Sequence, residues 1–213
     1  KDSTRKSDCP PMTFIRLGTS GGVHPDIAPE TLAISSYALG LDNAGLYYDQ
    51  SPDDEIVERI ESKAKQILTD AALSPSRFKG KIIPYASKAS SEITDALAKQ
   101  AAKHNVKFEV GITVSSPGFY GPSSRYIEGL KNTFPDIKGS LSKLEIDGLR
   151  VINMEMESSL FFHLCSQMGY RAGTICTVIS ASTSSDDVVD YDAAIGNTIN
   201  IGLKTLVDLN KTD

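Results

Sequence analysis

Short runs that are apolar from end to end alternate along this chain with longer stretches whose apolar residues recur at helical spacing. Met12 to Leu17, Leu32 to Tyr37, Lys81 to Tyr85, Phe108 to Val114, Val151 to Met154 and Gly173 to Ser180 read as strands. Several of them carry no polar alternation, so they have no face to offer water and must lie in a sheet covered on both sides. Ser51-Pro52-Asp53-Asp54 supplies an N-cap, a proline at the first helical position and acids in the first turn. Ile56, Val57, Ile60, Ala64, Ile67 and Leu68 then follow at helical spacing. Further helices are expected over Glu92 to His104, over Glu157 to Met168 with Gly169 as its stop, and over Ala193 to Leu209. The alternation predicts an α/β fold, with Ser180 to Asp187 as a loop.

A length of 213 residues suits one sizeable domain rather than two, so residues 1–213 are read as a single unit without repeat or linker. A buried strand this near the start ordinarily has earlier strands beside it. The sequence therefore reads as the C-terminal portion of a longer chain, or as one with disordered parts omitted. The 22 Lys and Arg against 27 Asp and Glu leave a net charge of −5 with no basic run, which argues against a nucleic-acid partner. The longest apolar stretches, such as Gly173 to Ile179, fall well short of the ~20 residues that cross a bilayer, and no signal peptide opens the chain. Cys9, Cys165 and Cys176 form no CxxC or Cys/His cluster, so neither a disulfide framework nor a metal site is expected, and the reducing cytoplasm is the expected location.

Three segments carry chemistry. In Arg16-Leu17-Gly18-Thr19-Ser20-Gly21-Gly22 a strand ends in small residues, hydroxyls and a guanidinium able to bind phosphate through two oxygens. The spacing alone reads equally as a glycine-rich turn with a surface arginine. In Gly111 to Arg125 a buried strand opens into a loop offering Phe119 and Arg125, an aromatic face and a cation suited to a flat heterocycle with carbonyl oxygens. A Pro/Gly turn with a solvated arginine is the plainer reading. In Asn153-Met154-Glu155-Met156-Glu157-Ser158-Ser159 two acids stand at a strand-to-helix junction, where ligands of α/β sheets bind and a carboxylate can accept from sugar hydroxyls. Either glutamate could instead be a helix-start acid favoured by the dipole.

Taken in order, RLGTSGG, GITVSSPGFYGPSSR and NMEMESS resemble the motifs of the nucleoside phosphorylase family, most closely its uridine-cleaving members, over nearly the whole chain from Phe14 onward. The resemblance implies a single-domain three-layer α/β/α fold with a mixed central sheet flanked by helices. It also implies reversible phosphorolysis of uridine to uracil and ribose 1-phosphate, with inorganic phosphate as co-substrate and no organic cofactor or metal. Carried over by motif, Arg16, Gly18 and Thr19 would hold phosphate, while Met156, Glu157 and Thr113 would meet the ribose. Ser20, Gly21, Phe119, Ser123 and Arg125 would line the base, and Arg16, Glu157 and Arg125 would be the catalytic groups. A homodimer or hexamer is implied too. Phosphorolysis or hydrolysis of another nucleoside, purines included, and silent nucleoside binding are the alternatives.

The sequence departs from the family at defined places. Ser123 stands where the family's uridine-cleaving members carry glutamine, and Ala181-Ser182 stands where they show Asn-Arg. Asp186 and Asp187 lie a few residues beyond the place where purine-cleaving members put an acid. The family's Gly-Asp-x-x-Arg loop and N-terminal strands have no counterpart in the sequence, and His24, His104 and His163 do not match the histidine that some members insert into a neighbouring site.

Overall fold

The computed structural model describes residues 11–49, 54–123, 125–180 and 190–211. Among them, strands β1 (Thr13–Gly22), β2 (Leu32–Gly40), β3 (Tyr85–Lys88), β4 (Phe108–Ser115), β5 (Glu145–Ile146), β6 (Leu149–Glu155) and β7 (Arg171–Ser180) form a seven-stranded sheet. The order is β1-β7-β2-β4-β6-β5, with β3 paired to β2. Parallel pairs (β1–β7, β2–β4, β4–β6) mix with antiparallel ones (β2–β7, β2–β3, β5–β6), giving the mixed sheet that the family resemblance implies.

Helices α1 (Glu55–Ala71), α2 (Ser91–Lys103), α3 (Ile137–Leu141), α4 (Ser158–Gln167) and α5 (Tyr191–Leu209) cover the sheet. Val57, Ile60, Ala64 and Leu68 of α1 pack with Leu39, Val114 and Leu141 in one core. Ile93 and Leu97 of α2 and Ile201 and Leu209 of α5 pack with Leu32, Ile34 and Ile175 in another. The strands contribute to both clusters, as their lack of alternation requires: β2 places Leu32 and Ile34 in one and Tyr37 and Leu39 in the other. This is the three-layer arrangement.

Two sequence expectations shift. Residues 81–84 are not strand, because Pro84 has no N–H for a ladder; β3 begins at Tyr85, opposite Gly40 of β2. Helix α1 is capped by Asp54, whose side chain accepts from the Ile56 N–H; the expected cap at Ser51 and first-turn proline at Pro52 lie outside the described residues. The helix stop at Gly169 holds, with a positive φ of 69° that a side chain would resist. The short α3 and β5 had no clear periodic signature.

The feature that positions the site is the end of β1. Its register on β7 slips between Ser20 and Gly21, and the strand crosses to pair with β6, Gly21 opposite Met154 and Gly22 opposite Asn153. The path β1-β7-β2-β4-β6 thus returns to β1, and the ends of β1, β4 and β6 converge.

Candidate active site

A cavity of about 900 Å³ opens where these strand ends meet. Its walls include Arg16, Thr19, Ser20 and Gly21 from β1, Phe119, Ser123 and Arg125 from the loop after β4, and Met154 to Glu157 from the β6–α4 junction. A buried network ties the strand ends beneath it. Thr113 on β4 donates to the Asn153 side-chain oxygen at 2.7 Å and shares a 2.6 Å bond with Ser35, and Asn153 donates to the Ser20 hydroxyl at 2.9 Å. Buried polar groups so fully paired hold a single geometry.

Glu155 and Glu157 play different parts. Glu155 ends β6 with its side chain only 1% exposed, and accepts from the Ser115 hydroxyl at 2.6 Å, the Ser158 hydroxyl at 3.0 Å and the Glu157 and Ser158 backbone N–H groups at 3.1 Å. It is the acid that satisfies the start of α4. Glu157, 57% exposed, lines the same cavity with its carboxylate open to it.

Both carboxylates engage Arg16. One guanidinium nitrogen lies 3.1 Å from Glu155 and 3.1 Å from the Cys176 sulfur, and the other is bonded to Glu157. Burial lowers the Arg16 pKa, but Cys176, Glu155 and Glu157 outweigh it and the net shift is upward. The Cys176 thiol is pushed up to about 12, chiefly by burial, so it meets Arg16 as a neutral acceptor. Gly18 makes room for this head group: a Cβ there would fall 2.6 Å from an Arg16 terminal nitrogen.

In the loop after β4, the Arg125 guanidinium lies 3.7 Å from the centre of the Phe119 ring and donates to the Phe119 carbonyl at 2.9 Å. The Ser123 hydroxyl donates to the Gly118 carbonyl at 2.8 Å, closing the turn. Phe119 is 54% exposed, and the pair forms an open aromatic-cation shelf at one side of the cavity.

Residues 7–206 match the family model described as the phosphorylase superfamily. The chain belongs to the phosphorylase superfamily. Similar members include the uridine phosphorylase of Haemophilus influenzae, 29% identical over 174 residues, which cover 82% of this chain and 56% of that one. The uridine phosphorylase of Thermococcus kodakarensis is 28% identical over 82% of this chain and 50% of its own. The chain thus spans about half the length of the curated relatives it matches. Among solved structures, a Trypanosoma brucei nucleoside phosphorylase described as showing uridine phosphorylase activity superposes with a TM-score of 0.79 at 27% identity, covering 96% of this chain and 69% of that one.

Within this superfamily member, the structure gathers most of the sequence-predicted residues into one cavity and leaves two off its wall. Thr113, expected at the ribose, is fully buried beneath the strand ends, where its hydroxyl is committed to Ser35 and Asn153. Gly18, expected at the phosphate, does not line the cavity but sits behind the Arg16 head group. Ala181, Ser182, Asp186, Asp187 and Cys9 lie outside the described residues. Cys165 and Cys176 are buried free thiols, and no cluster of metal-ligating side chains occurs among the described residues. No helix among them is long and apolar enough to cross a membrane.

Glu155 and Lys138 are among the residues of this wall that sequence reasoning did not place. Glu155 was visible only as one of two similar acids, and its burial on Ser115 and Ser158 is a tertiary fact. Lys138 of α3 also lines the cavity, and its sequence neighbours gave no sign of it. A separate cavity of about 600 Å³, lined by Tyr48, Glu61, Tyr85 and His163 among others, contains none of the predicted site residues.

Proposed function

We propose that this cavity performs phosphorolysis of a nucleoside, with uridine as substrate and inorganic phosphate as attacking group. The observation that carries the reading is the convergence on one cavity of Arg16, Glu157 and the Phe119–Arg125 shelf, groups suited to phosphate, sugar hydroxyls and a flat base respectively. Membership in the phosphorylase superfamily and the similarity to uridine phosphorylases support it.

In the proposed reaction a phosphate oxygen bonds to C1′ of ribose as the C1′–N1 bond breaks. The bonding pair leaves with uracil, which takes a proton from water. The sugar gains positive charge and the base negative charge in the transition state, so Arg16 at the phosphate and Arg125 at the base carbonyls act where charge develops. Thr19 adds a hydroxyl donor at the phosphate, Met156 packs against the sugar, and Glu157 fixes its hydroxyls. No side-chain nucleophile is needed, because phosphate attacks. Ser20 and Gly21 line the nucleoside. A single domain, no organic cofactor, a homodimeric or hexameric assembly and a cytoplasmic location accompany this reading.

Uridine incubated with the purified protein should release uracil only when phosphate is present, with ribose 1-phosphate formed in equal amount. Release without phosphate would indicate hydrolysis. Release from inosine but not uridine would move the reading to purines, and no release from any nucleoside would leave a binding protein.

A further inference from the structure

We infer that Lys138 is a base-binding residue of this site, forming with Arg125 a pair of cations that receives the negative charge of the departing base. The inference rests on the phosphorolytic reading above and adds a residue to it.

Lys138 lies on α3, a single turn anchored by Ile137 and Leu141, both buried in the core on either side of it. The Asp136 carboxylate fixes the turn by accepting from the Gly139 N–H at 2.7 Å. This leaves Lys138 directed at the cavity, whose wall it shares with Phe119, Ser123 and Arg125. Its Nζ is 3.7 Å from where a Cβ on Gly21 would be, so the ammonium rests against the end of β1. The Arg125 guanidinium is close enough to act on the Lys138 ammonium, so Lys138 stands on the side of the cavity where the aromatic shelf lies.

Among the described residues, the charged groups that act on Lys138 include Arg125 from the β4 loop and Asp136 from its own turn. Burial lowers its pKa most, Arg125 lowers it further, and Asp136 opposes both. Two like charges brought together in a half-buried wall repel, and an acceptor placed between them relieves that repulsion. When C1′–N1 breaks, the electron pair spreads from N1 onto O2 and O4 of uracil, which are acceptors in reach of an ammonium and a guanidinium.

The test compares wild type with Lys138→Met, Lys138→Gln and Lys138→Arg, using uridine and 5-fluorouridine, whose base leaves more readily as an anion. Lys138→Met should lower kcat/KM for uridine by on the order of 10- to 100-fold. The loss should be smaller for 5-fluorouridine, the phosphate KM should change less than about 2-fold, and Lys138→Arg should restore most of the rate. Thermal melting checks folding, and Lys138→Gln replaces Lys138→Met if the latter does not fold. Equal losses for both nucleosides, unchanged rates, or a rise confined to the phosphate KM would overturn the assignment while leaving the phosphorolytic reading intact. If wild type cleaves no uridine, that reading fails and calorimetric binding of uracil decides. Binding at least tenfold weaker in Lys138→Met supports the assignment; equal binding, or none by wild type, overturns it.

Discussion

Arg16 and Glu157, separated by 141 residues, are ion-paired with each other at the cavity. One is the group proposed for phosphate and the other for ribose. Arg16 is shared between Glu157 and the buried Glu155. Phosphate must share Arg16 with Glu157, and a ribose whose hydroxyls engage Glu157 loosens its hold on Arg16. If the two groups hold phosphate and ribose as proposed, the pair would couple the two substrates.

If Glu157 fixes the sugar hydroxyls, Glu157→Ala should lower kcat/KM for uridine by about 2–4 kcal/mol of transition-state stabilisation. Because the substitution removes one of the two carboxylates that compete for Arg16, leaving Glu155, phosphate should bind no more weakly than in wild type. Steady-state kinetics with phosphate varied at fixed uridine, and thermal protection by phosphate, check both halves.

Arg16→Lys should lower kcat/KM for phosphate by on the order of 10- to 100-fold, since an ammonium cannot span two phosphate oxygens as a guanidinium does. It also cannot reproduce the reach to Glu155, Glu157 and Cys176 together, so some loss in melting temperature should accompany it. Matching phosphate saturation curves for the two proteins would make Arg16 a structural group.

Ser123 holds its hydroxyl on the Gly118 carbonyl, so it is occupied in closing its own turn rather than offered to a base. Selection among bases should accordingly be loose, with thymidine and inosine cleaved alongside uridine. Ser123→Gln should raise the kcat/KM ratio of uridine over inosine roughly 5- to 10-fold, about one hydrogen bond's worth. A wild type already strict for uridine, and unimproved by the substitution, would refute this.

Away from the site, Glu61 is half buried and accepts from the Ala86 N–H at 2.8 Å. Burial raises its pKa against that hydrogen bond, so the folded state holds the proton more tightly than the unfolded chain. Ionised Glu61 then costs stability above its folded pKa, and the cost disappears as pH falls below the ordinary glutamate value. Glu61→Gln, which can still accept from Ala86, should raise the melting temperature at pH 8 and lose that advantage near pH 4.

The sheet was legible because its strands are apolar without alternation, and α1 because its buried residues keep strict helical spacing. What escaped the sequence was set by contacts between distant segments. Nothing near Thr113 tells that Ser35 and Asn153 take its hydroxyl, and nothing near Glu155 tells that Ser115, on another strand, makes it the buried partner of the pair. The motif order located the cavity; which of its polar atoms face inward was decided by packing. Lys138 shows the limit most clearly, because its turn acquires meaning only where β1 ends against it.

The crossing of β1 from β7 onto β6 makes a hoop of the strands that carry the site. In a hoop the separation between two groups follows from its circumference, and no loop has to be ordered to fix it. Arg16, on β1, and Glu157, just past the end of β6, inherit that fixed span. The Phe119–Arg125 shelf hangs from the rim on a loop. On the proposed reading, substitutions in that loop would retune which base is accepted while the span between the phosphate and sugar groups stays as the hoop sets it.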